Sequence, residues 1–276
     1  MNLIVQGLEV YTRDLKEIAK LARASGIERV GDEAFRLRDA QPASGIAAYC
    51  EAARLDHAFV PESVRLADFG LVAMDMDSTL ITIECIDELA DLAGRESEVG
   101  PITAAAMRGE LDFAESLKQR VALLAGLGED ALERVYTERL ALTPGAESML
   151  AAMHDRGIRT LLVSGGFTYF TDRLRERLGL DCARGTALEI EDGKITGRLV
   201  GEIVDAARKA RAMREVRDAL GLATGRVLAI GDGANDLALM AEAGFSIAFH
   251  AKPAVKARAT YALDFVGLDG VVNLFA

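Results

Sequence analysis

The sequence predicts an α/β protein with a doubly wound parallel sheet, a helical insertion and a smaller α/β domain at the N-terminus. Four short apolar runs, separated mostly by helical patterns, recur after residue 70, as strands buried on both faces of a parallel sheet require. Roughly eighty residues of largely helical pattern separate the first run from the second, far more than a parallel crossover needs. Residues 1–66 alternate strand and helix patterns on their own.

The N-terminal domain is predicted at residues 1–66 and the main domain at residues 67–276. The pattern indicates a strand at 3–11, a helix at 12–25, strand segments at 28–38 around the turn-forming "GDE", a helix in "PASGIAAYCEAARLD" and a short strand "HAFV". The segment "PESVRLADFG" is the predicted linker. No chemistry-bearing motif lies in this domain, so we expect a structural accessory; a regulatory or dimerising role is the alternative.

The main sheet is predicted from the runs "GLVAM" (70–74), "RTLLV" (159–163), "RVLAI" (226–230) and "FSIAF" (245–249). Polar residues and glycines follow three of them directly: Asp75 after the first, Ser164 and two glycines after the second, and Asp232 between two glycines after the third. In an open doubly wound sheet, ligands bind beyond the carboxyl ends of the strands. The sequence therefore predicts one site at this edge.

Two excursions from the sheet are predicted. The long insertion should form a helical cap over the strand ends, at about residues 84–142. A smaller one, "ALEIEDGKITGRLVG" at 187–201, alternates apolar and polar residues around Asp192 and Gly193. Because Asp-Gly between alternating segments is a strong hairpin signal, we expect a β-hairpin there.

Composition excludes several classes of protein. The chain has 276 residues and a net charge of -11, with its basic residues scattered among acids, so the attraction to nucleic-acid phosphates is missing. No stretch reaches ~18 uninterrupted apolar residues, and the N-terminus lacks the basic segment of a signal peptide. The three cysteines and three histidines have no metal-binding spacing. We expect a cytoplasmic protein without nucleic-acid or membrane partners.

A metal site is predicted where "DMDST" follows the first strand. Asp75 and Asp77 are separated by a single residue, and their carboxylates would repel each other unless a cation or a shared proton stabilised them. An all-oxygen set suits a hard ion such as Mg²⁺, and the predicted metal-binding residues are Asp75, Asp77 and Asp232, with a backbone carbonyl among the ligands. The alternative is that the two aspartates only begin a turn; three strand ends converging on one edge favour the metal.

The motifs "DMDST", "SGGF" and "GDGAND", in this order and with Lys209 between the last two, resemble the motif set of the haloacid dehalogenase superfamily. Within it, "DMDSTLITIECIDELADLAG", "AMRGELDF" and "GEIVDAARKA" resemble the phosphoserine phosphatases. The resemblance covers roughly residues 70–276. It implies a Rossmann-like fold with a helical cap and a Mg²⁺-dependent phosphatase.

The resemblance also implies the catalytic roles. Asp75 would be the nucleophile that forms an aspartyl phosphate, and Asp77 the general acid and then the general base. Lys209 would neutralise charge on the phosphoryl group. Ser164, at the start of a helix, and Gly165 would bind the phosphate. Asn235 would hold the phosphate or a water on the metal, Asp232 would bind the metal, and Asp236 would support these ligands.

The cap should select the substrate. By the resemblance, Glu84 would pair with an ammonium group, Arg120 would bind a carboxylate as a planar fork, and Met107 and Phe113 would form an apolar lid. Asp87 and Glu88 would lie on the outward or capping side of the first cap helix. Taken alone, each of the four has an ordinary alternative: a helix-start acid, an exposed helix charge, or packing.

The expected activity is hydrolysis of O-phospho-L-serine to L-serine and phosphate, the last step of serine biosynthesis. One alternative is a phosphatase or phosphotransferase for another small phosphorylated amino acid, such as phosphohomoserine. From a different class, the chain would be an amino-acid-sensing regulatory protein with an inert C-terminal domain. Whether the chain forms a homodimer stays open at this stage.

Overall fold

The structure, a computed structural model, describes residues 1–107 and 110–276, without the side chain of Met107. The described residues form two β-sheets, one of four strands in the N-terminal segment and one of seven strands in the rest of the chain. None of the described helices is long and apolar enough to cross a membrane.

The N-terminal segment is an antiparallel sheet with two helices on one face. In chain order its elements are β1 (Asn2–Gly7), α1 (Thr12–Leu21), β2 (Gly26–Gly31), β3 (Ala34–Arg38), α2 (Ile46–Ala52) and β4 (Leu55–Val60). The strands lie in the order β2-β3-β1-β4. Leu3 and Val5 of β1 pack with Ile18 and Cys50 of the two helices. The predicted α/β character of this segment is confirmed.

Three N-terminal elements are shorter than predicted, and one of them is the helix predicted in "PASGIAAYCEAARLD", which spans only Ile46–Ala52. β1 ends at Gly7 instead of residue 11, because the chain leaves the sheet at Leu8, whose side chain is 76% exposed. α1 ends at Leu21 instead of residue 25. The reason is that Arg23 has a φ of 51°, a left-handed conformation that a right-handed helix cannot contain.

The main sheet carries the predicted parallel strands. Its strands are β5 (Leu71–Met74), β6 (Arg159–Phe167), β7 (Cys182–Glu191), β8 (Lys194–Val200), β9 (Val227–Gly231), β10 (Phe245–Phe249) and β11 (Tyr261–Leu263). They lie in the order β11-β10-β9-β5-β6-β7-β8, and only β7 and β8 pair antiparallel. Leu71 and Ala73 belong to one buried cluster and Val72 and Met74 to another. Both faces of β5 are therefore covered, which confirms the predicted fold class.

The insertion after β5 is helical, as expected. It contains α3 (Cys85–Leu92), α4 (Glu96–Met107), α5 (Phe113–Ala122) and α6 (Asp130–Arg134), followed by a π-helical turn at Val135–Arg139. Two adjacent segments join it to the sheet: Ile81 and Leu142 form an isolated antiparallel bridge, and the N–H of Thr143 donates to the carbonyl of Leu80 at 3.0 Å. These paired segments are the base of the cap.

The remaining helices cover the two faces of the main sheet. They are α7 (Ala146–His154), α8 (Thr168–Leu178), α9 (Ala206–Ala219), α10 (Leu237–Ala241), α11 (Pro253–Lys256) and α12 (Asp269–Leu274). Buried side chains of α7, α8 and α12 belong to the cluster on one face, and those of α9, α10 and α11 to the cluster on the other. This two-sided covering is the doubly wound arrangement that the alternating strand and helix patterns predicted.

The hairpin predicted at 187–201 is formed by the second half of β7 and by β8, and its tip touches the cap. The N–H of Gly126 donates to the carbonyl of Ile195 at 2.8 Å, and the N–H of Ile195 donates to the carbonyl of Leu127 at 2.9 Å. The first half of β7 was not predicted; it pairs parallel with β6. β11, with three residues, is too short to show a period of its own.

Polar contacts join the N-terminal segment to the main domain. The carboxylate of Asp56 is buried and accepts the backbone N–H groups of Asp264, Phe265 and Val266 at 2.7, 2.9 and 3.0 Å. The side-chain amide of Gln6 donates to the carbonyl of Gly270 at 3.1 Å. Since three charge-assisted hydrogen bonds converge on one carboxylate, Asp56 is the principal polar attachment between the two parts.

Candidate active site

The turn after β5 places the two motif aspartates. Asp75 is buried, and its Oδ1 accepts the N–H of Met76 at 2.8 Å. Ser78 then takes a left-handed φ of 54°, which a short polar residue tolerates and which turns the chain back towards the cap. Asp77 Oδ1 accepts the N–H of Cys85, the first residue of α3, at 3.1 Å. The Asp77 side chain therefore lies between the sheet and the cap.

Lys209, in α9, neutralises the buried carboxylates. Its Nζ is 2.7 Å from Asp75 Oδ2 and 2.8 Å from Asp236 Oδ1, and all three side chains are less than a tenth exposed. Burial alone would lower the pKa of Lys209, but the charges of Asp236 and Asp75 outweigh it and the pKa is raised. Lys209 is therefore a fixed positive charge beside Asp75.

Three carboxylates form a cluster that suits a metal ion. Oxygens of Asp75, Asp232 and Asp236 lie within 4.8 Å of one another, and Thr79 Oγ1 donates to Asp232 Oδ1 at 3.0 Å. Burial first, and then the charge of Asp75, raises the pKa of Asp232 to about 6 and that of Asp236 to about 7. A hard divalent cation would relieve this crowding, and carboxylate oxygens are the ligands it prefers.

The prediction placed Asp75, Asp77 and Asp232 at the metal, with a backbone carbonyl among the ligands. The side chain of Asp77 lies outside the cluster, where its Oδ1 accepts the N–H of Cys85, and Asp236, predicted in support, contributes an oxygen to the cluster. Burial raises the pKa of Asp77 well above its usual value, and the charges of Glu84 and Asp75 raise it further. A carboxyl group that holds its proton in this way can donate it to a leaving group.

The loop predicted to bind phosphate lies at the end of β6. Ser164 was expected at the start of a helix; it lies inside β6, and α8 begins only at Thr168. The hydroxyl of Ser164 accepts the N–H of Gly166 at 2.9 Å. A Cβ on Gly166 would stand 2.8 Å from Asp77 Oδ2, so a glycine is required for this close approach.

The other predicted site residues lie around this loop. Phe113, at the start of α5, covers Gly165: a Cβ there would be 2.4 Å from the ring Cζ. Glu84 Oε1 accepts the hydroxyl of Ser78 at 2.7 Å. Asn235 lies in the short 3-10 turn after β9 that also carries Asp236. Met107 ends α4, but its side chain lies outside the described part of the structure.

Arg120 and Asp87 face the interior of the cap. Among the described residues, neither Arg120 Nε nor Asp87 Oδ1 has a hydrogen-bond partner, although both atoms are buried. The expectation that Asp87 lies on the outward or capping side is wrong for this oxygen. Glu88 does lie on the outer side, where it pairs with Arg139 at 2.7 Å. Asp87 follows Glu84 by three residues and therefore shares its helix face, a spacing that could have predicted its position.

Sequence reasoning did not assign Thr79 or Cys85. Thr79 belongs to the motif "DMDST", and its bond to Asp232 depends on the fold rather than on local spacing. Cys85 contributes its backbone N–H to Asp77, a contact that any residue at the start of α3 could make. Neither contact leaves a signature in the sequence.

The doubly wound parallel sheet, the helical insertion after β5 and the buried carboxylates at the strand ends together fit the class of hydrolase that the motifs indicated. The profile of the haloacid dehalogenase-like hydrolases matches residues 72–241, so the chain belongs to that family. A profile described as a domain of unknown function matches residues 3–44.

The relatives are phosphoserine phosphatases by name. The phosphoserine phosphatase of Albidiferax ferrireducens is 52% identical over 217 residues, which cover 77% of this chain and 92% of that protein. The crystal structure of a probable phosphoserine phosphatase from Vibrio cholerae has a TM-score of 0.87 at 40% identity, covering 99% of this chain and 86% of that one. A phospho-aspartyl intermediate analogue of phosphoserine phosphatase has a TM-score of 0.71 at 37% identity, covering 75% and 99%. Within the superfamily, the chain is a member of the phosphoserine phosphatase family.

Proposed function

We propose that this protein hydrolyses O-phospho-L-serine to L-serine and phosphate through an aspartyl phosphate on Asp75. The observation that carries the proposal is the pairing of a buried Asp75 with Lys209 at 2.7 Å, two residues before a second carboxylate that lies beneath a cap. The names of the relatives and the phospho-aspartyl analogue of one of them support the same reaction.

In the first step, a carboxylate oxygen of Asp75 attacks phosphorus, the new O–P bond forms, and the bond from phosphorus to the serine oxygen breaks. The serine oxygen leaves with the proton of Asp77. The raised pKa of Asp77, caused first by burial and then by the charges of Glu84 and Asp75, keeps that proton available. An alkoxide is a poor leaving group, so this acid is needed for a serine ester.

In the second step, the Asp77 carboxylate takes a proton from water, and the water oxygen attacks phosphorus of the aspartyl phosphate. The bond between Asp75 and phosphorus breaks, phosphate leaves, and both aspartates return to their starting states. The N–H of Cys85 at 3.1 Å from Asp77 Oδ1 holds the carboxylate in place for both transfers.

Phosphate oxygens bind to the loop at the end of β6 and to the two polar residues beside it. A Cβ on Gly166 would stand 2.8 Å from Asp77 Oδ2 and 3.1 Å from Ser164 Oγ, so both side chains border the same point of the loop, which supports a phosphoryl group shared between them and the backbone of Gly165. Lys209 neutralises the charge that collects on the phosphoryl and aspartyl oxygens, and Asn235 completes this side of the site.

Mg²⁺ is the proposed cofactor. The cluster of Asp75, Asp232 and Asp236 offers oxygen ligands only, and this donor set fits Mg²⁺ better than softer metals. Asp75 and Asp232 would hold the ion. Asp236, whose Oδ1 lies 2.8 Å from Lys209 Nζ, would support the metal ligands. When bound, the ion supplies positive charge to the phosphoryl oxygens.

Selection of serine belongs to the cap. Glu84 would pair with the ammonium group of the substrate, Arg120 with its carboxylate, and Phe113 together with Met107 would exclude water. Phosphohomoserine and phosphothreonine differ from phosphoserine by single carbon groups, each worth only ~1–3 kcal/mol in a pocket. Relative kcat/KM values on the three compounds rank them.

The direct test is phosphate release from O-phospho-L-serine. We expect turnover with Mg²⁺ and none after chelation by EDTA. No phosphate release with Mg²⁺ would overturn the proposal and favour an amino-acid-sensing protein, which binding of free amino acids to the N-terminal segment would reveal. A place in serine biosynthesis, a cytoplasmic location and a homodimer also stay predictions; growth complementation of a serine auxotroph, cell fractionation and sedimentation test them.

A further inference from the structure

The interior of the cap holds polar atoms that lack partners. Five buried side-chain atoms among the described residues have no hydrogen-bond partner, and four of them belong to α3, α4 and α5: Asp87 Oδ1, Thr103 Oγ1, Ser116 Oγ and Arg120 Nε. Buried polar groups are almost always hydrogen-bonded in folded proteins. The cap helices therefore hold most of the unpartnered buried polar atoms of the described residues.

Asp87 and Arg120 are the charged members of this group, and they have opposite signs. Burial lowers the pKa of Arg120, and the carboxylate that opposes this most strongly is that of Asp87, ahead of Glu84 and Asp77. Burial in turn raises the pKa of Asp87, and the charge of Arg120 opposes it. The two side chains therefore influence each other directly.

The two charges attract without forming an ion pair. Within residues 1–107 and 110–276, no nitrogen of Arg120 lies within 4.0 Å of an oxygen of Asp87. A bidentate pair would occupy the planar fork of the guanidinium and compete with any other carboxylate. A negative charge that acts on the guanidinium without a direct ion pair leaves the fork unoccupied.

Other acids near Arg120 are less suited to this task. Glu84 is held by the hydroxyl of Ser78 at 2.7 Å, and Asp77 is held by the N–H of Cys85. Glu88, on the same helix as Asp87, is bound to Arg139. Among these acids, Asp87 alone combines a buried oxygen without a partner and a strong electrostatic effect on Arg120.

We propose that Asp87 is a positioning residue for substrate recognition: it orients the guanidinium of Arg120 so that the fork receives the carboxylate of the substrate. The inference rests on the proposed function, because it assigns that carboxylate to Arg120. Asp87 does not touch the substrate, and its effect is confined to substrates that carry a carboxylate.

The test compares Asp87→Asn with the wild type on three compounds. O-Phospho-L-serine carries an ammonium and a carboxylate, O-phosphoethanolamine carries the ammonium only, and p-nitrophenyl phosphate carries neither. Affinities of the first two are also measured by competition against p-nitrophenyl phosphate, so that poor turnover does not hide binding. Glu88→Gln, which removes a neighbouring acid of the same helix, is the matched control.

We expect Asp87→Asn to raise KM for phosphoserine about tenfold or more, with kcat within about threefold, the size of effect usual when a charged hydrogen-bonding group is disoriented. Affinity for phosphoethanolamine and turnover of p-nitrophenyl phosphate should stay within about twofold. Asp87→Glu should restore part of the loss, and Glu88→Gln should behave as the wild type on all three compounds.

A double-mutant cycle with Arg120→Met separates positioning from direct contact. If Asp87 acts through Arg120, Asp87→Asn causes no further loss of phosphoserine affinity once Arg120 is replaced. Additive losses, or an equal loss on phosphoethanolamine, would show that Asp87 contacts the ammonium and would overturn the inference. Unchanged phosphoserine kinetics in a folded Asp87→Asn protein would also overturn it, whereas a wild type inactive on phosphoserine would instead refute the proposed function.

Discussion

Among single residues, Lys209 determines the charge balance of the site. It is completely buried and lies 2.7 and 2.8 Å from Asp75 and Asp236, so the three side chains bring one positive and two negative charges together in a buried region. A buried charge is tolerated only when it is paired. The lysine therefore contributes to folding, and the proposed mechanism also gives it a role in phosphoryl transfer.

Replacing Lys209 by methionine tests this balance. The variant keeps the length of the side chain but leaves two buried carboxylates unpaired, so we expect a loss of about 3–5 kcal/mol in the free energy of unfolding, measured by urea denaturation at pH 8. The loss should shrink as the pH falls, because burial raises the pKa of Asp236 and removal of Lys209, whose charge lowers that pKa, raises it further, so the carboxyl takes up a proton. Lys118→Met, on an exposed position of α5, should change stability by less than about 0.5 kcal/mol.

The raised pKa of Asp232 predicts pH-dependent metal binding. In the metal-free protein, burial and the charge of Asp75 raise this pKa to about 6. Below that pH a metal must displace a proton, so Mg²⁺ affinity should fall by about tenfold per pH unit between pH 6 and 5 and should change little above pH 8. Calorimetric titration at several pH values measures this; equal affinity at pH 5 and pH 8 would contradict it.

Between elements, α5 contacts the end of β6 closely. Phe113 lies on Gly165, and the carbonyl of Val204 is 3.2 Å from the place where a Cβ of Gly165 would stand. The cap and the phosphate loop are thus fitted to each other without space for a methyl group. The tip of the hairpin at Ile195 adds backbone hydrogen bonds to the cap on the other side.

Gly165→Ala tests this fit. Its methyl group would lie 2.4 Å from Cζ of Phe113, so we expect the cap to be displaced from the loop. As a result, kcat/KM for phosphoserine should fall about tenfold or more. Gly100→Ala, in a cap helix where nothing lies within 4 Å of the added carbon, should keep full activity. Similar activity of both variants would show that the cap does not need to pack closely on the loop.

For the whole molecule, the attachment of the N-terminal segment depends on Asp56. Ile4, Ala58 and Val60 of this segment belong to the same buried cluster as the main sheet, so the two parts share a core in addition to their polar contacts. The predicted boundary between residues 66 and 67 therefore separates two segments of the sequence, but the buried cluster extends across it.

Asp56→Ala tests this attachment. It would leave the three N–H groups of residues 264–266 without their acceptor, and we expect the free energy of unfolding to fall by about 2 kcal/mol or more. Turnover of phosphoserine at low temperature should stay near that of the wild type, because the acid cluster lies elsewhere. Glu62→Gln, an exposed acid, serves as control; equal stability of the two variants would contradict the assignment.

The sequence predicted the fold class and the edge of the sheet that carries the site, because buried strands and the polar residues after them are local patterns. It did not predict the distances from Lys209 to Asp75 and Asp236, since these join α9 to two different strand ends. Among several basic residues of α9, only the resemblance singled out Lys209. The burial of Asp87 Oδ1 was not predicted, because an acid in the first turn of a helix is explained equally well by the helix dipole alone.

The central claim is that Asp75 becomes phosphorylated during turnover. The most direct measurement is mass spectrometry of the protein quenched in acid during turnover of O-phospho-L-serine with Mg²⁺. The account predicts one phosphoryl group on the peptide that contains Asp75, lost on treatment with hydroxylamine and absent from inactive Asp75→Asn. Full turnover by Asp75→Asn, or a phosphoryl group on a different residue, would contradict it.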